Sequence, residues 1–261
     1  MNTSRRMPKW LNRVMWLFLL LVVWELTARF SGVSPLVLPP ATSVFRTLAS
    51  SFIDGSLLKN SLLSLGLIAA GLSAGSLLGL LMAIAAARWR TAANLIETLL
   101  LIFHPLPGIA LFPLVILWFG VGYLSIVILI IHSVLWPMVT NMLSGFRSLP
   151  EVFRLVGMNY QLGSPRFSLY ILIPGSFPHL ISGLKIGWAR AWRALISAEM
   201  VFGAAGGMGG LGWFIFKCRV FMDTPGIFSG LIVIILIGML VEDLVFTVIE
   251  KHTLGRWGMG S

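Results

Sequence analysis

The chain has 261 residues, of which 57% are hydrophobic and only 11% are charged, and its mean hydropathy is +0.94. Soluble domains carry about 25% charged residues, so no soluble core could bury this much apolar surface. The net charge of +10 would suit nucleic acid only if the basic residues clustered on one solvated face, but most of them end apolar runs. The composition therefore predicts a protein of the lipid bilayer and argues against a nucleic-acid partner.

A basic start, residues 1–13, precedes a short apolar run at 14–28 that carries Glu25. The run resembles a secretory signal, but no small-x-small cleavage site follows it, so an uncleaved first membrane helix is expected. Residues 31–59 have mixed polarity and several prolines, which forbid a continuous helix there. We expect this segment to lie on the external membrane surface.

Residues 60–87 contain no charge and predict a second crossing. Small residues four or five apart would give this helix one face for close packing against a neighbour. These residues are Gly66, Gly71, Gly75 and Gly79.

An uncharged run from Thr98 to Phe146 is long enough for two crossings, predicted near 95–118 and 123–143 with a turn between them. The first of these should be broken or kinked by its prolines, which are Pro105, Pro107 and Pro113. Within a membrane such a break is tolerated where protein or water satisfies the freed carbonyls.

The next segment, 147–168, is polar and predicts a short cytoplasmic helix and a turn at Gly163-Ser164-Pro165. After it we expect a crossing from about 175 to 202. A Gly-rich loop from Gly203 to Gly212 and a return along the outer surface would complete an external segment, 203–225. The last crossing is predicted at 226–247, before a cytoplasmic C-terminus, 248–261.

Six crossings in one transmembrane domain, 1–261, put both termini on the same side. Lys and Arg residues near the span ends favour that side by eleven to five, so the termini should be cytoplasmic. The eleven are Arg5, Arg6, Lys9, Arg13, Arg88, Arg90, Arg147, Arg154, Arg166, Lys251 and Arg256.

The chain lacks the G-x-x-x-x-G-K-[ST] loop that cradles the phosphates of ATP, and it has no paired cysteines or His-x-x-x-His spacing for a metal. Its four histidines fall in different segments and favour structural roles over ligand roles. We therefore expect no catalytic residue and no metal site in this chain.

The strongest local pattern is Leu149-Pro150-Glu151-Val152-Phe153-Arg154-Leu155-Val156-Gly157 with a later Ile171-Leu172-Ile173-Pro174. It resembles the cytoplasmic EAA loop of binding-protein-dependent ABC importer permeases. Val152 and Phe153 stand where that family has Ala. The resemblance implies ATPase-coupling residues, which are Glu151, Val152, Phe153, Arg154, Gly157, Gly163 and Pro174.

Further short runs, such as Trp118-Phe119-Gly120 and Trp136-Pro137, are similar to the nitrate, sulfonate, taurine and bicarbonate branch of that family. The resemblance implies the type I permease fold in the cell inner membrane, a homodimer, two ATPase subunits that bind ATP and magnesium, and an external solute-binding protein. A short rigid helix that projects from the bilayer suits the transmission of a domain motion.

Four ionisable residues fall within the predicted fifth crossing, where a charge costs at least ~2.5 kcal/mol and usually faces a cavity or a partner. They are Lys185, Arg190, Arg193 and Glu199. Two interpretations stay open: some cations line the pathway and attract an anion, or they snorkel to the cytoplasmic surface or pair with Glu199 or Glu25.

The sequence thus predicts a permease subunit, not an enzyme, that imports a small anion such as a sulfonate, taurine or nitrate by alternating access. A self-sufficient secondary transporter or channel is the alternative, but it would need membrane carboxylates or inverted repeats. A membrane enzyme would need an acidic or histidine cluster, and the sequence offers none.

Overall fold

The computed structural model describes residues 9–206 and 209–253, and every regular element in these ranges is helical. The helices are α1 (Lys9–Phe30), α2 (Ala41–Ile53), α3 (Ser56–Arg88), α4 (Arg90–Phe103), α5 (Phe112–Phe119), α6 (Tyr123–Ser148), α7 (Glu151–Asn159), α8 (Ser164–Phe167), α9 (Ile173–Gly175), α10 (Phe177–Gly206), α11 (Leu211–Val220), α12 (Thr224–Leu240) and α13 (Thr247–Thr253). A 3-10 turn, Gly108–Leu111, leads into α5, and π-helical stretches, Ser168–Leu172 and Val241–Phe246, join α8 to α9 and α12 to α13. The predicted all-helical fold is confirmed. Parts of the predicted termini and of the Gly-rich loop lie outside the described residues.

Three helical stretches of the described chain are long and apolar enough to cross a membrane: α3, α6 and Thr224–Glu250. Two further crossings result if each of two bent pairs counts as one span. These pairs are α4 with Gly108–Phe119, bent by 90°, and Ser164–Gly175 with Phe177–Gly203, bent by 71°. The chain is therefore a multi-pass membrane protein. The number of six crossings and the side of the termini stay predictions.

Close packing of α3 on α6 explains three of the four small residues on α3. A Cβ at Gly75 would lie 2.9 Å from the Cβ of Val134, and Gly71 and Gly79 approach α6 as closely. Glycine at these positions lets the two helix backbones approach each other. The assignment of Gly66 to this face was wrong, because a Cβ added at Gly66 would meet no atom of another element of the described residues within 4 Å.

The segment after α10 differs from the expected loop and surface return. Helix α10 continues through Gly206, and α11 packs against α10 and α12. The residues Leu211, Phe214, Ile215 and Cys218 are buried, and their spacing is that of one helix face. In the sequence, the glycines on both sides of this short pattern favour a loop. In the structure, burial of this apolar face against α10 and α12 stabilises a helix.

Candidate functional site

The predicted coupling segment forms α7, which begins after Pro150 and ends where the Tyr160 N–H donates to the Val156 carbonyl at 3.0 Å. Gly157 is its one buried residue. A Cβ at Gly157 would lie 2.5 Å from the ring of Phe167, so glycine lets α7 rest directly on α8. Gly163 precedes α8 and has open space around it, so it carries no comparable packing constraint.

The remainder of α7 exposes large apolar side chains. Val152 and Met158 are each 65% exposed, and Phe153, Leu155 and Val156 are exposed as well. The helix lies outside all five candidate membrane spans of the described chain. A cluster of exposed apolar side chains outside the candidate spans is typical of a surface that another protein covers.

A cavity of about 560 Å³ lies beside this helix. Arg154 of α7 lines it, and Arg147 at the end of α6 pairs there with Glu97 of α4 at 2.5 Å. Glu151 is exposed at the start of α7, and Pro174 lies in α9, just before the bend into α10. The structure thus gathers most predicted coupling residues around one end of the helix bundle.

A second cavity, also of about 560 Å³, opens where the proline-rich segment breaks the α4 and α5 span. Its walls come from that break, from α6 and from α10. The polar residues in these walls are His104, His132, Ser133, Trp136, Arg190, Arg193 and Ser197. Two of the predicted pathway cations, Arg190 and Arg193, thus line a common cavity.

The break is held against α6 by a close contact. A Cβ at Gly108 would lie 2.6 Å from the hydroxyl of Ser133, so only glycine fits there without displacement. On the other side of the break, Phe103 stacks on Trp136 with ring centroids 5.3 Å apart. These contacts fix the aromatic wall of the cavity relative to the break.

The two arginines sit differently in this cavity. Arg190 is half-buried, and its Nη2 lies 3.5 Å from Nε2 of His104, a long contact. Arg193 is exposed, and its Nε donates to the Ala189 carbonyl at 2.9 Å. No Asp or Glu of the described residues lines this cavity.

Lys185 and Glu199 lie elsewhere. Lys185 Nζ is 3.6 Å from the Glu250 carboxylate, and Glu25 bonds to Arg29. The suggested pairing of the α10 cations with Glu199 or Glu25 is therefore wrong: among the described residues, those two carboxylates have other partners. Lys185 is absent from the lining of the cavity at the break.

Glu199 joins three helices instead. Its side chain is 1% exposed and accepts from the Ser64 hydroxyl at 2.6 Å and from the Gly212 N–H at 2.9 Å. The Ser64 oxygen in turn accepts from the Leu211 N–H at 2.9 Å. A carboxylate at the first turn of α11 also complements the positive end of that helix.

The sequence did not identify the three aromatic members of the cavity wall, His104, His132 and Trp136. His132 and Trp136 stand four residues apart on α6, which places them on one helix face. That spacing was the available signal, but nothing in the sequence brings His104 and Arg190 to the same place.

Comparison with known proteins agrees with these features. Residues 75–255 match the family described as binding-protein-dependent transport system inner membrane component. The chain is 30% identical to the taurine transport system permease protein of Escherichia coli over 87% of this chain and 82% of the relative. It is 27% identical to the putative aliphatic sulfonates transport permease protein of E. coli over 95% and 94%, respectively. It is also 29% identical to the riboflavin transport system permease protein of Chloroflexus aurantiacus over 92% and 88%. The expected resemblance to nitrate, sulfonate and taurine permeases is confirmed.

Proposed function

Because the chain belongs to the family of binding-protein-dependent transport system inner membrane components, we propose that it is the permease subunit of an ATP-driven importer. Two copies of this chain enclose the pathway, and two ATPase subunits bind ATP and magnesium and supply the energy. An external solute-binding protein delivers the solute, which crosses the inner membrane by alternating access.

The exposed apolar surface of α7 carries this proposal. Five of its nine residues are large, apolar and exposed outside the candidate spans. Helix α7 docks on the ATPase at the cytoplasmic side, in agreement with the excess of Lys and Arg that the sequence places there. Gly157 keeps α7 against α8, so that a displacement of α7 reaches the membrane helices.

The solute in this proposal carries a small oxyanion group, as a sulfonate, nitrate or the zwitterion taurine does. Two relatives are named for taurine and sulfonate transport, while a third is named for riboflavin. Similarity alone therefore supports several solute classes. The charge of the cavity at the break favours an anion, because it combines two arginines with no carboxylate of the described residues.

Co-purification of the ATPase with Phe153→Asp tests the docking surface. Burial of a Phe side chain stabilises by about 1.5–3 kcal/mol, so a charge there should weaken association by at least about tenfold. The matched control is Ile53→Asp, which places the same charge on an 88% exposed apolar residue at the end of α2. The proposal fails if the wild-type chain never retains an ATPase, or if both variants retain it equally well.

A further inference from the structure

We infer that the cavity at the α4 break binds a small oxyanion through the indole N–H of Trp136 and the guanidinium of Arg190, so that the permease itself selects its cargo. This inference rests on the proposed transport function and names the solute class that the pathway accepts. Selection would then occur within the membrane as well as at the external binding protein.

Unsatisfied hydrogen-bonding groups are the first support. Trp136 is only 7% exposed, and its Nε1 has no hydrogen-bond partner among the described residues. The same holds for both ring nitrogens of His132 and for Nδ1 of His104. A buried donor without an acceptor costs about 1–3 kcal/mol, so groups of this kind are normally satisfied by water or a ligand.

The charge of the cavity is the second support. Arg190 has five N–H donors in a planar fork, which matches the paired oxygens of a sulfonate or carboxylate. Its long contact with His104 occupies one edge of that fork. Arg193 adds a second positive charge.

The remaining walls set the size and character of the solute. A volume of about 560 Å³ suits a small organic molecule. Apolar side chains, among them Leu106 and Ile109, lie beside the donors. The cavity therefore combines an anion-binding end with apolar surface, which fits an organic oxyanion.

Direct binding to the permease and ATPase complex in nanodiscs tests the inference without relying on transport. The probes are radiolabelled methanesulfonate and its neutral isostere dimethyl sulfone, measured by equilibrium dialysis. We expect the anion to bind at least tenfold more tightly than the sulfone. Trp136→Phe removes the N–H but keeps a ring that can stack on Phe103, and it should raise the Kd for methanesulfonate by about tenfold.

Two further variants separate the hydrogen bond from the charge. Arg190→Gln should raise the Kd by at least about tenfold, whereas Arg190→Lys should keep part of the affinity because its charge remains. Trp16→Phe, in an exposed part of α1, is the matched control and should leave the Kd unchanged. Retention of the ATPase shows that each variant is folded. If Trp136→Phe does not assemble with the ATPase, the Kd values of Arg190→Gln and Arg190→Lys test the inference instead.

Equal affinity for methanesulfonate and the sulfone would overturn the inference, as would wild-type affinity in both Arg190→Gln and Trp136→Phe. Absence of methanesulfonate binding to a wild-type complex that still hydrolyses ATP would also overturn it, yet would leave the proposed importer function in place. Failure of the ATPase to associate would instead count against the function itself.

Discussion

Replacing Glu199 by Ala should loosen the junction of α3, α10 and α11. The substitution leaves the Ser64 hydroxyl and the Gly212 N–H buried without the acceptors they have now, at 2.6 and 2.9 Å. Each orphaned donor costs about 1–3 kcal/mol, so the loss of stability is about 2–6 kcal/mol. A loss of about 3 kcal/mol lowers the Tm of a chain of this size by about 6–12 °C, at about 2–4 °C per kcal/mol.

Scanning fluorimetry of the purified protein in detergent measures this change, since the chain has ten tryptophans. Glu199→Gln keeps the shape and one acceptor oxygen, so its Tm should lie between those of the wild type and Glu199→Ala. Glu97→Ala is the control, because it also removes a carboxylate from its partner, Arg147, but the side chains of Glu97 and Arg147 are 50% and 71% exposed. Exposed ion pairs contribute about 0–1 kcal/mol, so this control should shift the Tm little.

A double substitution tests whether Ser64 and Glu199 act together. Ser64→Ala alone orphans the Leu211 N–H, and its effect should not simply add to that of Glu199→Ala. Contacting residues of one network typically show a coupling of about 0.5–3 kcal/mol. The reasoning is refuted if Glu199→Ala and Glu97→Ala lower the Tm equally, or if the two network substitutions add fully.

Two glycine substitutions have matched controls within the chain. Gly75→Ala places a Cβ 2.9 Å from α6 and should cost about 1–3 kcal/mol of stability, whereas Gly66→Ala meets open space and should not lower the Tm; equal Tm values would contradict the packing. Gly157→Ala forces α7 away from Phe167 and should weaken ATPase retention in co-purification by about tenfold. Gly163→Ala meets open space and should leave retention unchanged. Equal retention by the two variants would contradict the role of the contact between α7 and Phe167.

Long uncharged runs predicted the main helices well, because a bilayer demands about 20 apolar residues and the chain interrupts these runs with charges. The proline-rich break near Pro105 and Pro107 was also predictable, since proline removes a helical donor and clashes with the preceding turn. Helix α11 was not predictable to the same degree. Its ten residues give too short an apolar pattern to predict a helix between glycines. Only its burial against α10 and α12 in the structure identifies the helix.

The cavity at the break escaped prediction for a different reason. Its members lie on the break after α4 and on helices α6 and α10, and only the folded chain brings residues 104, 136 and 190 together. The cations were visible in the sequence as costly membrane charges. The sequence does not show that the side-chain nitrogens of Trp136 and His132 are buried without hydrogen-bond partners beside these cations. Only the structure shows this.

Two of the three walls of this cavity, α6 and α10, are physically attached to α7. From α7 the chain passes through α8 and α9 directly into α10, which carries Arg190. At the same end, Gly145 of α6 lies so close to the start of α10 that a Cβ there would be 2.8 Å from the Cβ of His179. Helix α6 carries Trp136, so a displacement of α7 that turns α10 against α6 moves the two proposed anion-binding groups relative to each other. A permease that releases its solute when the ATPase moves α7 needs such a connection, and packed helices transmit it because their interfaces are not continuously deformable.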